Sequence, residues 1–331
     1  MGPAPTATAT TSLTSTRQPS RELRAGQRRH HEPKLPVDAW QPNGWLLEEE
    51  RGSDGKRLSI LTIFLAGAEC PFECIFCDLW RQTLDGPTPR GAIPGQLAAA
   101  LANTDASAAA AIKLYNASNF FDPIAVPPED DQEIAALLRP FRRVIVESHP
   151  RFITRRCVEF AERLDGVLEV AIGLETADAD ALARLNKQMT LDMVADAAAR
   201  LRAARIGVRI FLLVPPPFVA ATDVIVSTRR AVTYAAELGA NHISLIPTRI
   251  DHLHQDDVLQ PHDLVPPTLG MVEDVLDACL DSVGAVVSVD MWDGERLVVC
   301  EQCGQARIDR LRDINLTGRP AARIRCQTCG S

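Results

Sequence analysis

Residues 58–77 read LSILTIFLAGAECPFECIFC, an apolar run followed by three cysteines. The run at 58–66 predicts a buried strand, and Cys70, Cys74 and Cys77 follow it in a loop with C-x3-C-x2-C spacing. Three thiolates this close together can bind one face of a 4Fe–4S cluster, which needs four ligands to be closed. The fourth iron would then be open to another ligand. A zinc knuckle is the alternative, but structural zinc sites use four ligands, and this loop holds three cysteines.

Strand and helix patterns alternate after this loop. Further apolar runs predict strands at 110–116, 144–146, 168–173, 208–214 and 242–247. Helical patterns lie between them at 93–101, from 127–131 onward, at 191–204 and at 221–238. This alternation predicts parallel pairing through right-handed crossovers. The fold class is therefore α/β, as a partial (β/α)6 TIM-like barrel, with a doubly wound open sheet as the alternative.

Polar residues follow the predicted strands, where a barrel collects its functional groups. The second strand ends at NASNFFD (116–122) and the third at ESHP (147–150). The fourth ends at GLET (173–176), the fifth at the prolines of VPPP (214–217) and the sixth at PTR (247–249). We therefore expect a site at this end of the barrel, beside the cysteine loop.

Four segments accompany the cysteine triplet in order along the chain: NASNFFD (116–122), VIVESHPRFI (144–153), VAIGLETAD (170–178) and LNKQMT (185–190). Together they resemble the radical SAM superfamily, in the subgroup of the Elongator catalytic subunit and the oxygen-independent coproporphyrinogen oxidase. Within it they are most similar to the radical SAM protein of archaeosine biosynthesis and its bacterial relatives. The resemblance runs from about residue 57 to residue 250 and includes most of the predicted barrel, which would be a radical SAM core.

The resemblance implies that Cys70, Cys74 and Cys77 hold a 4Fe–4S cluster and that S-adenosylmethionine (SAM) binds its open iron. It implies reductive cleavage of SAM, followed by abstraction of a hydrogen atom from a substrate. It assigns no catalytic residue beyond the cofactors. It also implies these SAM contacts: Phe76 and Val214 at the adenine, Ser118 and Asn119 at the methionyl amino group, Glu147 at the amino group or ribose, Glu175 at the ribose, and Lys187 at the carboxylate.

A second cysteine group lies near the C-terminus. Cys300 and Cys303 form one C-x2-C pair, Cys326 and Cys329 form another, and 22 residues separate the pairs. Two such pairs joined by a short β-hairpin give a four-cysteine, zinc-ribbon-like element. The alternation of apolar and charged residues at 307–312 favours a strand in that hairpin. Zn²⁺ is the expected metal, and a rubredoxin-like iron or an auxiliary iron–sulfur cluster is the alternative.

The length, composition and charge distribution of the chain indicate its domain organisation and limit its possible partners. The chain has 331 residues, 46% of them hydrophobic, and contains nine cysteines. We expect a flexible basic arm at 1–36, a core domain at 37–293 and the four-cysteine element at 294–331. Residues 1–36 carry a net charge of +4 and residues 294–331 carry +3. Because the whole chain has a net charge of −8, the residues between them carry −15. The basic ends could bind RNA. The alternative is that they bind no partner, and that the first is a disordered arm and the second a solvated ribbon.

The expected protein is cytoplasmic, because it has no secretory signal and no apolar stretch near the ~20 residues of a membrane span. It is expected to be a radical SAM enzyme that acts on an unidentified substrate. A modified tRNA nucleoside is the leading single candidate, and a small metabolite or a peptide, which the acidic body of the chain favours, is the alternative. Its electron donor would be external, such as flavodoxin or ferredoxin. The alternative is a non-catalytic RNA-binding or scaffold protein in which the iron–sulfur and zinc sites are structural.

Overall fold

The apolar runs form neighbouring strands of one curved sheet in the computed structural model, which describes residues 33–105, 109–249, 263–280 and 283–330. The first strand pairs antiparallel with the second, and every later pair is parallel. The predicted partial barrel is confirmed, but the described residues form eight strands and not six. The strands, in spatial and chain order, are β1 Gly44–Arg51, β2 Arg57–Leu65, β3 Ala111–Asn116, β4 Arg143–Glu147, β5 Val167–Glu175, β6 Gly207–Val214, β7 His242–Pro247 and β8 Val286–Val289.

Helices alternate with the parallel strands, as the sequence predicts. Three of them begin at a residue whose side chain accepts a hydrogen bond from the first turn: Asp178, Thr190 and Thr268. Such N-caps satisfy amide groups that have no partner within the helix. The helices of the described residues are α1 Ala92–Ala102, α2 Asp131–Leu138, α3 Arg155–Arg163, α4 Ala179–Arg184, α5 Leu191–Ala203, α6 Val224–Glu237, α7 Leu269–Cys279 and α8 Gly304–Thr317.

The two faces of the sheet differ in chemistry because side chains alternate along a strand. One face packs against the helices and forms the main apolar core, to which Leu61, Ile172 and Ile210 belong. The other face lines the inside of the barrel. There the apolar cluster is small, with Ile60 and Ile145 as its larger buried members.

Five charged residues form a network inside the barrel, which we call the floor network: Glu48, Glu50, Lys113, Glu169 and Arg209. Arg209 is 2% exposed, and its Nε donates to Glu169 Oε1 over 2.7 Å while its Nη2 donates to Glu50 Oε2 over 2.9 Å. Lys113 pairs with both Glu48 and Glu50. The network therefore ties the antiparallel edge strand β1 to β3, β5 and β6. Burial opposes the charge on Arg209, but the two carboxylates raise its pKa further still.

The helix α8 lies where the sheet stops. Strands β8 and β1 are the two ends of the sheet, and α8 packs against both; we call this gap the seam. Asn315 accepts a hydrogen bond from Val289 N over 2.9 Å and donates to Val289 O over 2.7 Å, as a neighbouring strand would. The C-terminal end of the helix lies close to β1: at Gly318, which follows the last turn, a Cβ atom would overlap the guanidinium of Arg51. The helix thus closes the wall of the barrel.

Residues 34–331 group as one unit, which includes the four-cysteine segment. The predicted arm at 1–36 lies almost wholly outside the described residues. Within the described residues, no helix has both the length and the apolar character needed to cross a lipid bilayer.

Candidate active site and metal centres

The cysteine loop follows β2 at the carboxyl end of the parallel strands. Cys70, Cys74 and Cys77 are free thiols and are half-buried. The end of α4 holds this loop from the side, since Ile75 N donates to Leu185 O over 3.1 Å and Asn186 Nδ2 donates to Glu73 O over 2.7 Å. The loop therefore depends on a segment more than a hundred positions away in the chain.

The three thiols share one electrostatic environment. Burial raises the pKa of each of them. For Cys74, the neighbouring Cys70 and Cys77 raise the pKa further, whereas the Lys187 ammonium lowers it. Three half-buried cysteines whose thiolates would repel one another are a donor set that a positively charged metal centre would favour in the thiolate form. The residues present therefore fit a 4Fe–4S cluster with three protein ligands.

Polar side chains at the ends of β3 and β4 lie buried without hydrogen-bond partners. Both amide atoms of Asn116, the Ser118 hydroxyl and the Ser148 hydroxyl find no partner among the described residues. Most buried polar groups in proteins are paired, either with protein or with ordered water. Unpaired atoms clustered at the end of the barrel are thus consistent with a ligand site. Sequence reasoning selected Ser118 but passed over Asn116 and Ser148, although both stand at strand ends.

Glu147, Glu175 and Lys187 form a charged group beside the cysteine loop. Lys187 pairs with Glu175, and its Nζ lies 5.8 Å from the centre of the Phe76 ring. Glu175 follows an irregularity in the β5–β6 pairing and has a φ of 70°. Gly173 leaves space for this pair, because a Cβ there would lie 2.4 Å from both Glu175 Oε1 and Lys187 Nζ.

The pKa values of this group follow from its surroundings. Burial raises the pKa of Glu147 to about 7, the Lys187 ammonium opposes that rise, and the Glu175 carboxylate adds to it. Burial disfavours the charged form of Lys187, but Glu175, Cys74 and Glu147 together raise the pKa of its ammonium. At neutral pH the loop therefore faces a firmly charged lysine and a carboxyl that is only half ionised.

His149 connects the loop to the end of β4. Its ring packs against Phe72 with 3.9 Å between ring centres. Its Nδ1 accepts a hydrogen bond from Arg151 N over 3.1 Å, so the proton of the neutral ring is on Nε2, which lies 3.1 Å from Lys187 O. Burial lowers the pKa of His149 to about 3. This histidine is a neutral link between three segments of the site.

The remaining predicted contacts lie as follows. Asn119 Nδ2 lies 3.4 Å from Cys70 Sγ, and its Oδ1 accepts from His149 N over 2.7 Å. Val214 ends β6, its side chain belongs to the main core, and its carbonyl accepts from Thr248 N over 3.0 Å. The structure thus brings Asn119, Glu147, Glu175, Lys187 and Phe76 around the cysteine loop. The described contacts of Val214, in contrast, are with the main core and with Thr248, which follows β7.

The four C-terminal cysteines form a separate centre. All four sulfur atoms lie within 4.8 Å of one another. Cys300 and Cys326 are 3.9 Å apart at Sγ, and Cys303 and Cys329 are 3.6 Å apart. A tetrahedral ion with metal–sulfur bonds of ~2.3 Å would place its sulfurs ~3.8 Å apart. Backbone N–H groups of Cys329 and Thr328 lower the pKa of Cys326, which favours its thiolate. The four-cysteine group is suited to one metal ion.

The hairpin predicted between the two cysteine pairs is wrong. Residues 307–312 belong to α8, which runs from Gly304 to Thr317. Ile308, Leu311 and Ile314 are fully buried in the main core at helical spacing. The short alternation that indicated a strand reflects buried and paired arginines instead: Arg307 and Arg310 make ion pairs with Glu273 and Asp277 on α7.

The fold and these two cysteine groups define an α/β partial-barrel protein with two separate candidate metal centres. No family model matches the chain. An uncharacterized protein of Methanocaldococcus jannaschii is 25% identical over 174 residues, which are 50% of this chain and 47% of that protein. The match therefore spans about half the length of this curated relative.

Similar solved structures include two enzymes. Methylornithine synthase is 12% identical, with 70% of this chain and 64% of that chain covered and a TM-score of 0.49. The coproporphyrinogen III oxidase of Escherichia coli, a radical SAM enzyme, is 14% identical, with 69% and 52% covered and a TM-score of 0.46.

Proposed function

We propose that this chain is a radical SAM enzyme whose 4Fe–4S cluster is held by Cys70, Cys74 and Cys77. The observation that supports this most directly is the cysteine loop, with three half-buried free thiols at the carboxyl end of β2. Bound there, the cluster would supply the electron that cleaves SAM reductively, and the resulting adenosyl radical would abstract a hydrogen atom from the substrate.

The surrounding residues bind and orient SAM in this proposal. Lys187 is the cation for the methionyl carboxylate. Its Nζ lies beside the Phe76 ring and is close enough to Cys74 to lower the pKa of that thiol, which places the positive charge next to the proposed cluster. Glu175 holds Lys187 in place. The unpaired Ser118 hydroxyl and the Glu147 carboxylate accept hydrogen bonds from the amino group or ribose. Phe76 and the Val214 backbone would contact the adenine.

Anaerobic reconstitution tests this proposal. The purified chain is incubated with iron, sulfide and dithionite, then with SAM, and 5′-deoxyadenosine is measured by mass spectrometry. We expect about four irons at the triplet and slow formation of 5′-deoxyadenosine without substrate. Binding of SAM with no 5′-deoxyadenosine under strong reductant would favour the non-catalytic scaffold instead.

The substrate and partners are finer proposals. A modified tRNA nucleoside is the substrate candidate that the sequence resemblance supports, and it would make RNA a partner. The electron would come from an external donor such as flavodoxin or ferredoxin. Comparing 5′-deoxyadenosine formation with and without bulk tRNA tests the substrate class, because a true substrate would stimulate cleavage while a scaffold partner would not.

Replacing Glu147 with Gln is expected to stabilise the metal-free protein at high pH and to weaken SAM binding. A folded-state pKa of about 7 lies above the unfolded value of 4.5, so the folded state holds this proton more tightly. The wild type therefore loses stability as pH rises from about 4.5 through 7, whereas the Gln variant does not. We expect the variant to be more stable by about 3 kcal/mol at pH 8 and equal to wild type near pH 4.

Urea unfolding at the two pH values measures the first effect, and SAM affinity of the reconstituted protein measures the second. We expect SAM binding to weaken by roughly 1–3 kcal/mol, as for a lost hydrogen bond to a charged group. Glu133→Gln, at an exposed position of α2, is the matched control and should change neither. Unchanged SAM affinity in Glu147→Gln would remove Glu147 from the proposed site.

We also propose that the metal of the four-cysteine centre is zinc. Four thiolates without an open position form a closed structural site. Replacing Cys326 and Cys329 with Ser should release about one zinc and lower Tm by roughly 5 °C or more, because the site ties the start of α8 to the turn at residues 326–329. Elemental analysis and thermal unfolding measure both effects, while iron at the triplet should remain.

The control for this prediction is a double change in the same turn, Gln327→Ser with Thr328→Ser, which removes no sulfur ligand. It should keep its zinc and its Tm. Loss of iron and sulfide in place of zinc from the cysteine variant would identify an auxiliary iron–sulfur cluster and contradict the zinc assignment.

A further inference from the structure

The Asn119 side chain has a fixed orientation beside the cysteine loop. It is 4% exposed, and both of its polar ends have protein partners. Its Oδ1 faces His149 N at 2.7 Å, and a backbone N–H can only donate. The amide oxygen must therefore point to His149, which leaves the Nδ2 donor facing Cys70 Sγ at 3.4 Å.

The backbone around Asn119 is also held firmly. Phe120 N donates to Glu147 O over 2.8 Å, which ties this turn to the end of β4. Asp122 N donates to Asn119 O over 3.1 Å and closes the turn. His149, whose backbone amide orients the Asn119 side chain, packs its own ring against Phe72 of the cysteine loop. The donor thus reaches Cys70 from a rigid frame built by β3 and β4.

We infer that Asn119 is a positioning residue that raises the reduction potential of the cluster by donating a hydrogen bond to the Cys70 thiolate. This inference rests on the proposed function, because it requires the cluster at Cys70. A reduced cluster carries one more negative charge than an oxidised one, so a donor to a ligand sulfur stabilises the reduced form more. Hydrogen bonds to the sulfurs are among the factors that set such potentials. The Asn119 Nδ2 donor is then assigned to the cluster ligand Cys70.

The test is the midpoint potential of the reconstituted protein, measured by redox titration with EPR at pH 8.5 in the absence of SAM. Asn119→Asp keeps an oxygen for His149 N but replaces the donor with a carboxylate. At a fixed applied potential, its ratio of reduced to oxidised cluster should fall about tenfold, which is ~59 mV for a one-electron couple. Asn119→Ala removes the donor without adding charge and should shift the ratio in the same direction by a smaller factor.

The same Asn→Asp change at Asn103, an exposed residue at the end of α1, is the matched control and should leave the potential unchanged. Iron and sulfide content establishes that each variant holds a full cluster. A cluster-loaded Asn119→Ala protein with the wild-type potential would overturn the inference, as would a shift that occurs only when SAM is present. Failure of the wild type to take up a cluster at all would overturn the proposed function as well, which separates the two failures.

Discussion

Cys74→Ala should abolish both cluster assembly and SAM cleavage. Only two thiolates would remain in the loop, and the alanine side chain offers no replacement ligand to the metal. We expect less than one iron per chain at this site after reconstitution and no 5′-deoxyadenosine above background. Iron and sulfide analysis, the visible absorption spectrum and mass spectrometry of the reaction mixture measure these losses.

Cys157→Ala is the control for this variant. Cys157 is also a buried thiol, but it lies on α3 within the main core. Its replacement should cost some stability through lost packing and leave both cluster and cleavage intact. A Cys74→Ala protein that kept four irons and normal cleavage would contradict the assignment of the triplet.

Arg209→Met should destabilise the protein by about 3–5 kcal/mol, the usual result when one partner of a buried ion pair is removed. The variant leaves Glu169, which is 3% exposed, without its closest cation, and it releases the contact from β6 to Glu50 on β1. The burial of an unpaired carboxylate is the main cost. The free energy of unfolding in urea measures the effect in the metal-free protein.

Arg155→Met provides the comparison, because Arg155 forms an exposed ion pair with Glu159 on the surface of α3. Exposed pairs of this kind contribute roughly 0–1 kcal/mol, so this change should have little effect. If Arg209→Met cost no more than Arg155→Met, the ion pairs of Arg209 in the floor network would not be a determinant of stability.

The six predicted strands correspond to β2–β7, and the reason is that strands buried on the helix side carry continuous apolar runs. The two missed strands lack that signal. In β1, Trp45 and Leu47 are exposed and Glu48 and Glu50 point to the floor network, so the pattern resembles a surface segment. β8 has only four residues. Both are edge strands whose place depends on partners far away in the chain.

At the two metal centres, too, the local features could be predicted from the sequence, whereas the features that depend on distant residues could not. The four-cysteine group could be predicted because each C-x2-C pair is a local turn. The α8 helix could not, because Ile308 and Leu311 are placed by the core that they enter and not by their neighbours in sequence. Likewise the cysteine loop was evident from spacing, whereas the contact of Asn119 with Cys70 requires the ends of β2, β3 and β4 to meet.

The position of α8 at the seam has a consequence for biosynthesis. The helix is translated after all eight described strands, yet it fills the gap between the first strand and the last. Domains generally fold as units, so this one could complete its fold only after α8 has left the ribosome. Until then the gap between β1 and β8 would remain open. Without the C-terminal metal, α8 would be tied less firmly at its start, so new chains would spend longer in this open form before they fold.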